Sequence, residues 1–208
     1  MPREFYIHSI PVFVVNDVDD QFDIPEFCLE AEDLLDRGLF RNIEVMYVGD
    51  FKHLNGRSAA YGDNAIYMTS KGVNNVDMLE NLVHELAHSL EGDYAHFVFD
   101  ESLQNEFIGK RERLMHLLNA EGFAISPILY YNVDYNSRFD DFLANTVGYP
   151  TLLTLTMGLF ASPYGATSLQ EYFANGFEKY FLDSPQAVKS VSPVLHRKIV
   201  GILNGEQH

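Results

Sequence analysis

The stretch from Asp77 to Gly92 is readable as only one regular structure. Its apolar residues, Met78, Leu79, Leu82, Val83, Leu86 and Leu90, recur at the three- and four-residue intervals of an amphipathic helix. Asp77 with Glu80 three residues on makes a capping-box pattern at the start, and Gly92 is a natural stop. His84 and His88 lie off the apolar stripe together with Asn81. This helix therefore turns its histidines toward a cleft and not into the main core.

Within it runs His84-Glu85-Leu86-Ala87-His88. Two histidines four apart on a helix project from one face, because each residue turns the axis by about 100°. Both imidazoles can then reach one metal ion. Glu85, beside the first histidine, points toward the open side of such a site, where a carboxylate can take a proton from a metal-bound water. With zinc this is the core of a hydrolase. With any metal it is still incomplete, because catalytic zinc needs a third protein ligand and an open fourth position.

The rest of the chain sets the frame. Its 208 residues suffice for one domain with a sizeable core or for a compact domain of two lobes. With 47% hydrophobic residues and no low-complexity tract it reads as globular. No apolar run approaches the roughly 18 residues of a spanning helix, and the most apolar stretch, Thr151 to Ala161, is broken by Gly158. The start, Met1-Pro2-Arg3-Glu4-Phe5-Tyr6, carries no secretory signal pattern, so cytoplasmic residence is expected, with delivery by a partner, a virion or a non-classical route equally compatible. A single cysteine, Cys28, allows no internal disulfide and reads as a small buried hydrophobe. The formal charge of −16 disfavours nucleic acid or an anionic membrane as partner and favours basic peptide segments.

Phe5 to Val15 is rich in β-branched and aromatic residues and reads as a strand, with Pro11 at an edge or bend. Ile24 to Leu39 reads as a helix, Ile43 to Val48 as a second strand, Arg57 to Asp63 as loop and Asn64 to Thr69 as a third strand. After Gly92 the pattern is helical: Ser102 to Ala120, with Phe107, Ile108, Leu114, Leu117 and Leu118 inward, then Arg138 to Val147, Thr151 to Phe160, Ser168 to Leu182 and Ser192 to Leu203. Gly122 to Asn136 is ambiguous. The order strand–helix–strand–strand followed by helices predicts an α+β fold: a small mixed sheet with the histidine helix, then a mainly helical lobe. The expected organisation is one domain over 1–208, with an N-lobe over 1–92 and a C-lobe over 93–208.

Candidates for the third ligand are His96 and Glu171. The spacing of His96 from His88 lacks the glycine and the later Met-turn of the metzincin pattern. Glu171 sits in Ser168-Leu169-Gln170-Glu171-Tyr172-Phe173-Ala174-Asn175-Gly176-Phe177, whose small residues would allow close approach of another helix. Its apolar neighbours suggest burial, and a buried carboxylate is costly unless it meets a metal or a cation.

The segments His84 to Leu90 and Glu171 to Phe177 together resemble the protease domain of anthrax lethal factor and its relatives, which are gluzincin metallopeptidases similar to the Pro-Pro endopeptidases. The shared features are a Glu-aromatic-Phe-Ala segment and a Tyr-Gly pair, here Tyr164-Gly165, whose tyrosine lies seven residues before that glutamate. The resemblance covers Asp77 to Tyr94 and Tyr164 to Leu182. It implies a zincin-like two-lobed fold, zinc held by His84, His88 and Glu171, Glu85 as general base and Tyr164 as oxyanion donor. It also implies an edge strand, Ala65, Ile66 and Tyr67, along which an extended peptide pairs. Where relatives often carry a second acidic residue one turn after the ligand glutamate, this chain has Asn175, whose amide oxygen would have to serve as the histidine's outer partner.

The expected activity is hydrolysis of peptide bonds in extended protein segments by a zinc endopeptidase. The alternative is an inactive zinc-binding interaction module of the same fold, against which the intact Glu85 argues.

Overall fold

The structure is a computed structural model and describes residues 3–206. It is a mixed α+β protein that divides into two compact units, Met1–Gly92 and Asp93–His208. Among the described residues no helix is long and apolar enough to cross a membrane.

The first unit is built on a five-stranded sheet of order β1-β2-β3-β5-β4. Strands β1 (Arg3–Ile7) and β2 (Ile10–Val14) are antiparallel, β3 (Val45–Gly49) runs parallel to β2 and to β5 (Ala65–Thr69), and β4 (Ala59–Gly62) closes one side antiparallel to β5. The parallel step from β2 to β3 needs a crossover, which helix α1 (Ile24–Leu34) supplies, capped by the Asp23 side chain and opened by Pro25. Alternation along the strands puts Val12, Met46 and Ile66 in register on one face, all fully buried, at about 1.5–3 kcal/mol of burial each. The opposite face carries Phe13, Tyr47 and Tyr67, whose rings stack across three strands at 5.9 and 5.3 Å.

Several expectations for this unit need correction. The single strand over Phe5 to Val15 is a hairpin, turned at His8, which adopts φ 54°. Pro11 therefore sits on an interior strand, opposite Tyr6 and just ahead of Val12, where the parallel ladder to β3 begins. The helix over Ile24 to Leu39 ends at Leu34, and a single 3-10 turn over Arg37–Phe40 follows, so that Leu35, Leu39 and Phe40 all turn inward. Arg57 to Asp63 is not all loop. The residues Asp63 and Asn64 both take left-handed backbone, φ 51° and 58°, as a two-residue hairpin turn requires, and they fold Ala59–Gly62 back onto β5. Hence β5, with Ala65, Ile66 and Tyr67, is interior. The edge strand on this side of the sheet is β4, with β1 at the other edge.

Helix α2 (Asn75–Val98) begins earlier and ends later than its sequence signals suggest. The reciprocal cap is Asn74 with Asp77: the Asp77 N–H donates to Asn74 Oδ1 at 3.1 Å, and the Asn74 N–H to Asp77 Oδ2 at 3.3 Å. The helix runs through Gly92 because Tyr94 and Val98, both buried, extend the Leu86–Leu90 line by two further turns. The thiol of Cys28 in α1 is buried, and burial pushes it up to about 12, as suits a packing residue.

The second unit is helical: α3 (Glu101–Ala120), α4 (Ile128–Tyr131), α5 (Ser137–Asp141), a π-helical run over Phe142–Gly148, α6 (Tyr149–Thr156), a 3-10 turn over Tyr164–Ala166, α7 (Leu169–Leu182), α8 (Pro185–Val191) and α9 (Pro193–Leu203). Gly148, at φ 84°, is the junction between the π run and α6, and Pro150 lies in the first turn of α6. The inward line of α3 is Phe107, Arg111, Leu114 and Leu118; Leu117 is exposed and Ile108 half-buried, contrary to the expected stripe. Two adjacent cations thus enter the core. Lys110 donates to the carbonyls of Leu159 and Val191 and to Ser192 Oγ. Arg111 donates to four carbonyls, those of Ala166, Thr167, Leu129 and Asn132, with its guanidinium over the rings of Phe107 and Phe139 at 4.7 and 4.3 Å.

Candidate metal centre

In the first unit, α2 presents His84, Glu85 and His88 half-buried, beside a face that is wholly buried at Leu82, Val83, Leu86 and Ala87. The two imidazoles face each other through Nε2 at 3.2 Å, their rings 4.9 Å apart and inclined at 74°. Behind His88, its Nδ1 lies 2.7 Å from Oε1 of Glu91. A carboxylate there accepts a hydrogen bond, so the imidazole carries its hydrogen on Nδ1 and directs the Nε2 lone pair at the space shared with His84. This arrangement suits two donors to one cation.

Glu85 is held by the sheet. Its Oε2 accepts the backbone N–H of Tyr61 at 2.7 Å. Tyr61 lies on β4, opposite Ile66. The base candidate is thereby fixed to the edge strand by a charge-assisted bond, the stronger kind.

Ala65, Ile66 and Tyr67 stand differently from the expectation placed on them. The ladders on both sides of β5 are occupied, by β3 and by β4, so this strand offers no backbone to a peptide. Ala65 and Ile66 are buried, and Tyr67 packs among Tyr47, Phe51 and His53. His96 is exposed near the end of α2.

In the second unit, Glu171 occupies the first turn of α7, where its N–H donates to Oγ of the N-cap Ser168 at 3.1 Å. One turn on, Asn175 is spent within its own unit: its Nδ2 donates to the Glu171 carbonyl at 2.8 Å, and its Oδ1 accepts from Ser162 Oγ. Tyr164 sits in the 3-10 turn just before α7. The turn lies against the helix at Gly165, where a Cβ would make ordinary contacts, 3.5 Å from Asn175 Cβ and 3.7 Å from the Glu171 carbonyl oxygen. Burial pushes the Tyr164 phenol well above the ordinary tyrosine range, and the negative charges of Glu171 and Asp140 push it further. It is a firmly protonated donor. The turn is also pinned from behind, because Arg111 takes the carbonyls of Ala166 and Thr167 at 2.8 and 2.7 Å.

Three contributors were not singled out from the sequence in these roles: Glu91 behind His88, the Tyr61 N–H on Glu85, and Arg111 beneath the Tyr164 turn. Glu91 had a readable signal, its position three residues after His88 on the same helix. No family model, curated protein or solved structure matches this chain.

Proposed function

We propose that this protein is a zinc-dependent endopeptidase of the gluzincin kind, with a zincin-like arrangement resembling the lethal factor protease domain, in which His84, His88 and Glu171 hold the ion. The observation that carries the reading is the imidazole pair of α2, facing through Nε2 with Glu91 behind His88 and a sheet-anchored Glu85 beside it. His84 and His88 would give the ion two imidazoles, and Glu171 would give it a carboxylate. Two neutral imidazoles and one carboxylate are the donor set of catalytic zinc, which keeps a fourth position open.

Bound zinc would supply Lewis acidity, polarising the scissile carbonyl and lowering the pKa of water from about 15.7 toward about 7. Glu85 accepts the proton and returns it to the leaving amine, and the Tyr61 N–H keeps its carboxylate from rotating away. Tyr164 donates to the carbonyl oxygen as negative charge develops there. An extended substrate segment adds to β4, the edge strand, in place of β5. The net charge of −16 favours basic segments as substrates.

The test is metal analysis together with cleavage-site profiling of a peptide library by mass spectrometry, on wild type and Glu85→Gln. One zinc per chain in both, with cleavage by wild type alone, is the expected result. Equal activity in the two refutes the assigned base, and zinc without any cleavage identifies a binding module.

A further inference from the structure

In the second unit, α8 and α9 leave between them an open pocket of about 460 Å³. Its polar lining is Lys189, His196, Arg197 and Glu206, and Pro193 and Val200 supply apolar wall. In a chain of 30 acidic and 14 Lys and Arg side chains, two cations, Lys189 and Arg197, against one acid invert the local charge. Four other cations of this unit are engaged: Lys110 and Arg111 on carbonyls, Lys179 on Asp183 and Lys198 on Asp100. Among the described residues, Lys189 and Arg197 make no ion pair.

The pocket's positive character belongs to its side chains and not to a helix end. The first free N–H groups of α9, those of Val194 and Leu195, already donate to Glu106 at 2.8 and 3.1 Å. His196 stands half-buried with the Tyr180 ring 5.8 Å from its own. Burial, then the charges of Lys189 and Arg197, hold its pKa below the ordinary histidine value. An anion among these groups would reverse that field and make His196 a third donor.

We infer that this pocket binds a phosphate monoester, its oxygens taken by Lys189, Arg197 and protonated His196 and its carbon body laid on Pro193 and Val200. Two fixed charges and an inducible third match a dianion, with Glu206 offsetting one of them at the rim. A carboxylate would use only one. The volume exceeds a bare phosphate and leaves room for an organic group. This inference does not rest on the metal centre.

The full chain is titrated with phenyl phosphate, inorganic phosphate and phenylacetate while the His196 ring proton is followed by NMR, assigned by its loss in His196→Gln. Phenyl phosphate is expected to give a saturable shift, to move the His196 titration to higher pH, and to bind about tenfold more tightly than phenylacetate. The Lys189→Gln/Arg197→Gln variant, altered only at exposed side chains and checked for an unchanged melting temperature, is expected to lose about tenfold or more. Each single substitution is expected to lose part of this. Equal affinity for phenyl phosphate and phenylacetate, an unmoved His196 resonance, or undiminished binding by the double variant and both single ones overturns the proposal.

Discussion

Replacing Glu91 with alanine removes one carboxylate that lies 2.7 Å from Nδ1 of His88. The pair is largely shielded, with side-chain exposures of 21% for His88 and 15% for Glu91, so water replaces the lost contact poorly. Without its acceptor, His88 can carry its hydrogen on either nitrogen and can swing about its Cβ–Cγ bond. Only one tautomer and one orientation offer Nε2 to a metal beside His84. Loss of such an outer partner weakens metal binding about 10- to 100-fold, or about 1.4–2.7 kcal/mol, which agrees with about 1.5–3 kcal/mol for a hydrogen bond to a charged group. The assay is competition for zinc against a chromophoric chelator at constant pH, on wild type, Glu91→Ala and Glu91→Gln. Glutamine keeps an acceptor oxygen without the charge, so it should fall between the other two. A Glu91→Ala affinity within twofold of wild type, in protein whose metal-free melting temperature is unchanged, would refute the reasoning.

Tyr164→Phe should lower kcat by about 10²- to 10³-fold on a cleaved peptide while leaving KM and zinc content nearly unchanged, because the donor acts on charge present only in the transition state; an equal rise in KM with kcat retained would show a binding role instead. Arg111→Met strands four carbonyls, two at the Tyr164 turn and two at α4, and should destabilise the fold by more than about 3 kcal/mol in denaturant melts. A loss under about 1 kcal/mol counts against the four-carbonyl account. Lys110 is pulled from 10.5 to about 8 by burial, so between these values the unfolded chain holds more protons than the folded one. Stability should therefore rise from about pH 8 to about pH 10.5, by roughly 3 kcal/mol from this group; if Lys110→Met shows the same rise, the assignment fails.

The α+β order and the long helices of this chain were legible because each announces itself through a local period, and α3 and α7 begin and end within a residue or so of the expectation. What escaped depended on tertiary context. Ala59-Ala60-Tyr61-Gly62 has no strand signal strong enough to outweigh its glycine, and it becomes a strand only because Asp63 and Asn64 accept left-handed backbone and the β5 edge is there to pair with. That one turn changes which strand faces a peptide. Gly92 read as a stop, yet the burial of Tyr94 and Val98 exceeds the roughly 1 kcal/mol a helical glycine costs. Nothing in the sequence around Arg111 marks it as a core residue of α3. Its acceptors come from residues 129–132 and 166–167, which no local pattern connects to it.

The anchoring of the Tyr164 turn by Arg111 has a consequence for how the protein meets acid. Guanidinium on peptide carbonyls has no carboxylate to neutralise, so acidification removes nothing from it. The nearby kind of tether differs: burial raises Asp100, but its bonds from Lys198, Ser102 and Leu103 hold it down at about 2, and below that its contact with Lys198 loses its charge. Arg111, pulled by burial to about 9, is exposed only on the alkaline side. The hold of Arg111 on the turn bearing the phenol is thus indifferent to a fall in pH.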